Sequence, residues 1–188
     1  MPTTLSRSLL AVLIPGFVAI APWLLALVQH TDATLGLATY PSLGNVLLFA
    51  AAAVVGSVFE GLGTFLEVRW DREREPSHAV FENWYGYLST CLPIEPVGYR
   101  YLSRLATTMY FEMSMLFAAP LFALGATVLA ALRFPQFKGG IWLFGATASL
   151  ATAFYFHWQA RSTHGTLCKT RREINNRLGV AYIHSVGT

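Results

Sequence analysis

The chain has 188 residues, enough for one domain, and 54% of them are apolar while only 12% are charged. Soluble domains carry about twice that charged fraction, so these side chains cannot cover a surface that faces water. The composition excludes an ordinary soluble domain and indicates a surface that faces lipid.

The first predicted element is a membrane-spanning helix over residues 8–29. The run carries no charge, and roughly 20 helical residues cross the hydrocarbon core of a bilayer. Arg7 before an apolar run also resembles the start of a signal peptide, but this run is too long for one and contains Pro15 and Pro22. We therefore predict an uncleaved span that bends at its prolines.

Three further stretches are long and apolar enough to span a membrane. They cover residues 43–68, 105–132 and 140–160. The second span contains Glu60, the third contains Glu112, and His157 lies near the end of the fourth. Small residues crowd the second and fourth spans, which lets helices approach closely in lipid. We predict an all-α, integral membrane four-helix bundle, with the small-residue faces inside the bundle or at a subunit interface.

The segment between the second and third spans, residues 69–104, begins with a cluster of charges that ends at Pro76. Pro76 predicts the start of a new helix. Apolar residues then follow at i, i+3, i+4 and i+7, namely Phe81, Trp84, Tyr85 and Leu88. This spacing predicts a short amphipathic helix over residues 78–88, and its aromatic side chains suit the lipid headgroup layer. Pro93 and Pro96 then predict an extended turn.

The tail, residues 161–188, is predicted to continue the fourth span as a helix, although Gly165 weakens that prediction. Its basic residues are Lys169, Arg171, Arg172 and Arg177. One interpretation is that they set the topology and attract anionic lipid. The other is that they bind an acidic protein partner; we do not expect nucleic acid as the partner.

Orientation follows from the 13 Lys and Arg residues of the chain. Only Arg133 and Lys138 lie in the predicted outer loops, which leaves eleven on the opposite side. Positive charge remains in the cytoplasm during insertion. We therefore predict that both termini and residues 69–104 are cytoplasmic and that the protein lies in the inner membrane. The outer loops, residues 30–42 and 133–139, are too short for a folded receptor or catalytic domain.

Polar residues form two predicted stripes near the cytoplasmic ends of the spans. Glu60, Glu67 and Asp71 share one face of the second helix, because i, i+7 and i+11 differ by about 60° at most. The fourth helix carries a stripe at similar depth, made of His157, Arg161, His164 and Cys168. The stripes either pair as an electrostatic zipper or surround a polar cavity that opens to the cytoplasm. Arg104 is another candidate partner for Glu67 or Glu112.

Intramembrane carboxylates are costly, so they are candidates for function as well as for structural pairing. The candidate catalytic residues are Glu60, Glu67, Glu112, His157 and His164. His164 and Cys168 could share a metal ion, although i, i+4 spacing alone is weak evidence. The candidate pairing or partner-binding residues are Asp71, Arg104, Arg161, Trp84, Tyr85, Arg171 and Arg172. We predict no cofactor, because the chain has no phosphate-binding glycine loop, and no disulfide between Cys91 and Cys168 in a reducing compartment.

These features leave three hypotheses for function. The first is an oligomeric membrane-embedded interaction or effector subunit, whose cytoplasmic face docks a protein partner or signals into the membrane, including by permeabilising it. The second is a small enzyme that acts on a lipid-linked substrate through carboxylate and histidine groups. The third is a proton or ion pathway through Glu60 and Glu112. The positions of Glu60, Glu112 and His157 distinguish them. A shared pocket favours the enzyme, an axis between subunits favours the pathway, and direct pairing with Arg104 and Arg161 without a cavity favours the interaction subunit.

Overall fold

The computed structural model describes residues 3–30, 41–89 and 97–186, all of them helical except for two short junctions. Within these residues, five α-helices follow one another. They are α1 (Thr3–His30), α2 (Pro41–His78), α3 (Val80–Ser89), α4 (Val97–Arg133) and α5 (Lys138–Val186). Four of them, all except α3, are long and apolar enough to cross a membrane. The prediction of four long apolar helices without strands is therefore confirmed for the described residues.

Three of the long helices, α1, α2 and α4, pack against one another, and α5 packs mainly against α4. Glycines allow the closest approach, as expected where lipid supplies no hydrophobic force between helices. A Cβ placed on Gly16 would lie 1.9 Å from the carbonyl oxygen of Ala52, and one on Gly56 would lie 2.0 Å from that of Val12. No residue larger than glycine fits at either crossing of α1 and α2.

Two clusters of buried side chains form the core. One contains Ala19, Phe59 and Ala118, contributed by α1, α2 and α4. The other lies among α2, α4 and α5, at the end of the bundle that carries Arg69 to Arg74 and Arg161 to Arg177, here called the basic end. It consists of Trp70, Leu102, Met109, Met113, Ala160 and Leu167. Large apolar side chains point outward elsewhere, such as Phe144, which is 77% exposed. An apolar exterior of this kind suits a lipid solvent.

The break between α2 and α3 occurs later than predicted. We expected a new helix at Pro76, but α2 continues through Pro76 to His78. The chain turns at Ala79, which has a φ of 45°, and the amide of Phe81 then donates to Oε2 of Glu75 at 2.9 Å. The side chain of Glu75 thus caps the new helix. Pro76 lacks a backbone N–H and so removes one hydrogen bond from α2, but the helix continues past it. The break comes at Ala79, where the positive φ turns the chain.

The turn between α4 and α5 and the tail of α5 can also be compared with the prediction. The turn after α4 is a 3-10 turn at Pro135–Phe137, and both Gly139 and Gly140 belong to α5. The tail prediction is confirmed, because α5 continues through Gly165 without interruption. The first predicted outer loop, apart from its ends, and the turn at Pro93 and Pro96 lie outside the described residues, as does Cys91.

Candidate functional site

The most deeply buried polar group at the basic end is the imidazole of His164, whose side chain is 1% exposed. Its Nε2 lies 2.8 Å from Oδ1 of Asp71 on α2. Its Nδ1 contacts Nη1 of Arg74, also on α2. Both ring nitrogens are therefore satisfied, and α2 is joined to α5 through one side chain. We call Asp71, Arg74, His164 and Cys168 the polar cluster.

These contacts fix the proton on the imidazole. A guanidinium can only donate hydrogen bonds, so the Nδ1 that it contacts must be an acceptor. The ring proton then lies on Nε2 and is donated to the carboxylate of Asp71. Burial lowers the pKa of His164, but the hydrogen bonds to Asp71 and Cys168 raise it to about 9. The Arg74 contact opposes this, because it requires an unprotonated Nδ1. While that contact is made, a neutral imidazole lies between a cation and an anion, a charge-assisted chain that stabilises a buried polar group.

Cys168 lies one helical turn beyond His164 and is 3% exposed. Its Sγ is 3.9 Å from Nε2 of His164, and this thiol, the imidazole and the carboxylate of Asp71 place one ligand atom each within 4.8 Å of one another. Thiol and carboxylate thus face the same ring nitrogen. In a nucleophilic Cys–His–Asp triad they would face opposite nitrogens, because one ring nitrogen takes the thiol proton while the carboxylate accepts a hydrogen bond from the other and orients the ring.

The rest of the basic end encloses the polar cluster. The indole of Trp70 contacts the rings of both His157 and His164, with centroids 5.6 and 5.7 Å apart. Tyr110 on α4 places its hydroxyl beside the half-buried carboxylate of Glu67. An aromatic ring thus covers His164, and the Glu67–Tyr110 pair lies one turn of α2 before Asp71.

Gly165, the residue that weakened the helix prediction, makes room for Arg74. A Cβ at Gly165 would lie 3.2 Å from both terminal nitrogens of that guanidinium. Arg74 also donates from Nη2 to the carbonyl oxygen of Arg161 at 2.9 Å. The absence of a side chain at position 165 therefore lets Arg74 lie flat against α5.

An exposed ion pair accompanies the cluster. Arg161 lies 3.2 Å from Oε2 of Glu73, and Arg69 lies 3.5 Å from Oε1 of the same carboxylate. These side chains are between 43% and 71% exposed. Exposed pairs contribute little stability, so the buried contacts of His164 join the two helices more strongly.

The short helix α3 is held against the tail of α5. The guanidinium of Arg171 lies 4.3 Å from the centre of the Trp84 ring, and Nδ2 of Asn175 donates to the carbonyl oxygen of Asn83 at 2.7 Å. Arg172 donates to the carbonyl oxygen of Ser77 at 3.1 Å. The structure thus uses Trp84, Arg171 and Arg172 for internal contacts, while the side chain of Tyr85 lies outside the described residues.

The three residues chosen to distinguish the hypotheses lie in different environments. Glu60 is exposed on α2. Glu112 is 6% exposed, and its Oε2 has no hydrogen-bond partner among the described residues. His157 is half-buried against Trp70. Arg104 is exposed and, within the described part of the chain, forms no ion pair with Glu67 or Glu112.

Sequence reasoning missed the partners that complete the polar cluster. Arg74 was part of the charge cluster but was not singled out, although it lies three residues after Asp71 and on nearly the same helix face. Glu73 was missed as the partner of Arg161, and Trp70 as the ring beside both histidines. Extending the acidic stripe by one turn would have found Arg74.

A search of protein-family models, of curated proteins and of solved structures finds no match to this chain.

Proposed function

We propose that this protein is an oligomeric subunit of the inner membrane that docks a soluble partner at its cytoplasmic face and signals into the membrane. In this proposal the basic end is cytoplasmic, because eleven of the 13 Lys and Arg residues lie on that side of the spans. The observation that carries the proposal is the position of Glu60, an exposed carboxylate in the middle of an apolar helix.

Glu60 lies on a face of α2 that no other described helix covers. Ser57, Gly61 and Thr64 are exposed around it, and a Cβ on Gly61 would meet no atom within 4 Å. A carboxylate at this depth is costly against lipid and is stable against protein or water. Small residues beside it allow another helix backbone to approach. A second copy of the chain supplies such a surface, because a two-fold axis along the membrane normal places its exposed Ser57 hydroxyl, a hydrogen-bond donor, within one turn of the depth of Glu60.

The basic end supports the docking part of the proposal. Contacts between α2, α3 and α5 hold the charged side chains on a fixed framework, from the buried imidazole of His164 to the Asn83–Asn175 pair. Exposed basic residues such as Arg72 and Lys169 then present positive charge on this framework. Charge on a rigid surface steers an acidic partner and selects against a basic one.

Cysteine crosslinking in native membranes tests the assembly. Gly61→Cys places a thiol on the proposed face, and Leu150→Cys places one at a position of α5 that is 73% exposed. Both are made with Cys91→Ser, while the buried Cys168 is retained. We expect disulfide-linked dimers from Gly61→Cys alone. Equal crosslinking of both variants, or of neither, contradicts the proposed face.

Glu60 substitutions test why the face assembles. Glu60→Leu makes the face compatible with lipid, so we expect a larger monomer fraction in single-molecule photobleaching of bilayers. Glu60→Gln retains a polar group and should preserve the assembly. A monomer fraction that stays unchanged in Glu60→Leu would show that the carboxylate does not drive association.

A second candidate is a proton or ion pathway along the same face. The exposed side chains of Ser57, Glu60 and Thr64 would line an axis between subunits in an oligomer of three or more copies. Liposome flux measurements distinguish the two candidates. Flux that is present in the wild type and lost in Glu60→Gln favours the pathway, whereas an assembled protein without flux favours the docking subunit.

A further inference from the structure

We propose that Asp71, His164 and Cys168 bind a zinc ion and that Arg74 competes with the metal for His164. The three residues come from two helices, and their ligand atoms already lie within 4.8 Å of one another. The proposal concerns the polar cluster alone and does not rest on the assembly of the protein.

The donor set suits zinc. Thiolate sulfur, imidazole nitrogen and carboxylate oxygen bind Zn²⁺ at about 2.0 to 2.3 Å, in a tetrahedral arrangement. Hard cations such as Mg²⁺ prefer oxygen ligands only, so a thiol and an imidazole in the set select against them. Three protein ligands leave a fourth position for water. Since the side chains of His164 and Asp71 are only 1% and 18% exposed, the ion would be held in a largely enclosed site.

The ligand atoms need only a small rearrangement. Tetrahedral ligands about 2 Å from an ion lie roughly 3 to 4 Å from one another. The Cys168–His164 separation of 3.9 Å lies within this range, and the Asp71–His164 separation of 2.8 Å must lengthen slightly. The Asp71 carboxylate and the Cys168 thiol already lie within 4.8 Å of each other. The required shifts are therefore about 1 Å, of the size that side-chain torsions supply.

Arg74 is the feature that opposes the metal. Zinc at Nε2 requires the proton of a neutral imidazole to move to Nδ1, which then becomes a donor. Metal-bound histidines normally give that N–H to an acceptor, but here Nδ1 contacts a guanidinium, which has only donors. The contact between Arg74 and His164 must therefore break when the metal binds. Arg74 retains its second bond, to the carbonyl oxygen of Arg161.

The binding step balances without oxidation or reduction. Zinc forms bonds to Oδ1 of Asp71, Nε2 of His164 and Sγ of Cys168, and it gives up water ligands. The imidazole proton moves from Nε2 to Nδ1. The thiol proton of Cys168 is released to solvent, so each ion displaces one proton from the protein.

Cobalt and zinc titrations of the full-length protein in detergent test the site. Co²⁺ bound to a thiolate gives a charge-transfer band, and Zn²⁺ added afterwards should abolish it. We expect one ion per chain in the wild type. Asp71→Asn and Cys168→Ser should each weaken binding by at least about tenfold, while Glu73→Gln, an acid-to-amide change on the same helix outside the site, should not.

Arg74→Gln is predicted to increase the affinity for zinc, a change that a misfolded variant would not show. The amide oxygen of glutamine can accept a hydrogen bond from Nδ1, so affinity should rise by about tenfold. A wild-type protein that gives no thiolate band overturns the proposal. So does equal affinity in Cys168→Ser, and so does an Arg74→Gln variant that binds no more tightly than the wild type.

Discussion

Arg74 of α2 donates a hydrogen bond to Nδ1 of His164 of α5, and this contact sets the proton of the buried imidazole on Nε2, where it reaches Asp71. One side chain thereby joins a cation and an anion from the same helix to a second helix. Although α5 packs mainly on α4, it also contacts α2 at the basic end through Trp70, Glu73 and Ser77. Within these contacts, the polar cluster supplies the buried polar connection between α2 and α5.

His164→Leu should destabilise the basic end. Leucine keeps the buried volume but leaves the carboxylate of Asp71 and the guanidinium of Arg74 without their partner, which costs about 2 kcal/mol. Thermal unfolding in detergent should therefore show a lower Tm. Glu173→Gln is the control, since Arg177 and Glu173 form an exposed pair that contributes little. Equal Tm values for the two variants would contradict the role of the cluster.

Alanine substitutions at Gly56 and Gly61 of α2 should have different effects on stability. Gly56→Ala places a Cβ 2.0 Å from the carbonyl oxygen of Val12, so α1 and α2 must move apart at a cost of about 1 to 3 kcal/mol. Gly61→Ala meets open space, so the stability of the single chain should not fall. Denaturant titration of the two variants under conditions that favour monomers measures the difference. Loss of stability in Gly61→Ala would mean that α2 turns Gly61 toward another helix and not toward open space.

Substitutions at Ala79, in the turn between α2 and α3, should change the thermal stability. A φ of 45° is left-handed, which costs a residue with a Cβ about 1 kcal/mol and costs glycine almost nothing. Ala79→Gly should be neutral or stabilising in a thermal melt. Ala79→Val, which adds branching at Cβ, should lower the Tm. The reverse order of the two variants would contradict a left-handed turn at this position.

Glu112 should be dispensable for folding. Its Oε2 is buried without a hydrogen-bond partner among the described residues, a condition that costs about 1 to 3 kcal/mol. Glu112→Met removes the polar group and should raise the Tm. Glu67→Met is the matched comparison and should lower it, because the carboxylate of Glu67 lies beside the Tyr110 hydroxyl. A fall in the Tm of Glu112→Met would point to a partner that this conformation does not include.

The sequence predicts the four long helices because their signal is local. A run of about 20 apolar residues identifies each one without knowledge of its neighbours. The continuation of α5 past Gly165 was also predictable in outline, since polar residues keep helical spacing on both sides. The turn at Ala79 was not, because it depends on a left-handed residue and on a cap from Glu75 that no simple pattern specifies.

The polar cluster was predictable only in part, since its pairing depends on how α2 and α5 are rotated. Two stripes at the same depth indicated that acidic and histidine side chains could meet, but not which ones. The structure pairs Asp71 with His164 and Glu73 with Arg161, and it leaves Glu60 exposed. Periodicity places residues on a helix face, whereas the choice of partner follows from the rotation of both helices, which only their packing decides.

The 49 residues of α5 form one unbroken helix, about 74 Å long at 1.5 Å per residue. The hydrocarbon core of a bilayer is about 30 Å thick, so more than half of this rod extends beyond it. Because the helix is unbroken, its two ends move together. Any tilt of its apolar segment therefore displaces the far end of the tail, and the contacts of α5 with α2 and α3 oppose such a tilt.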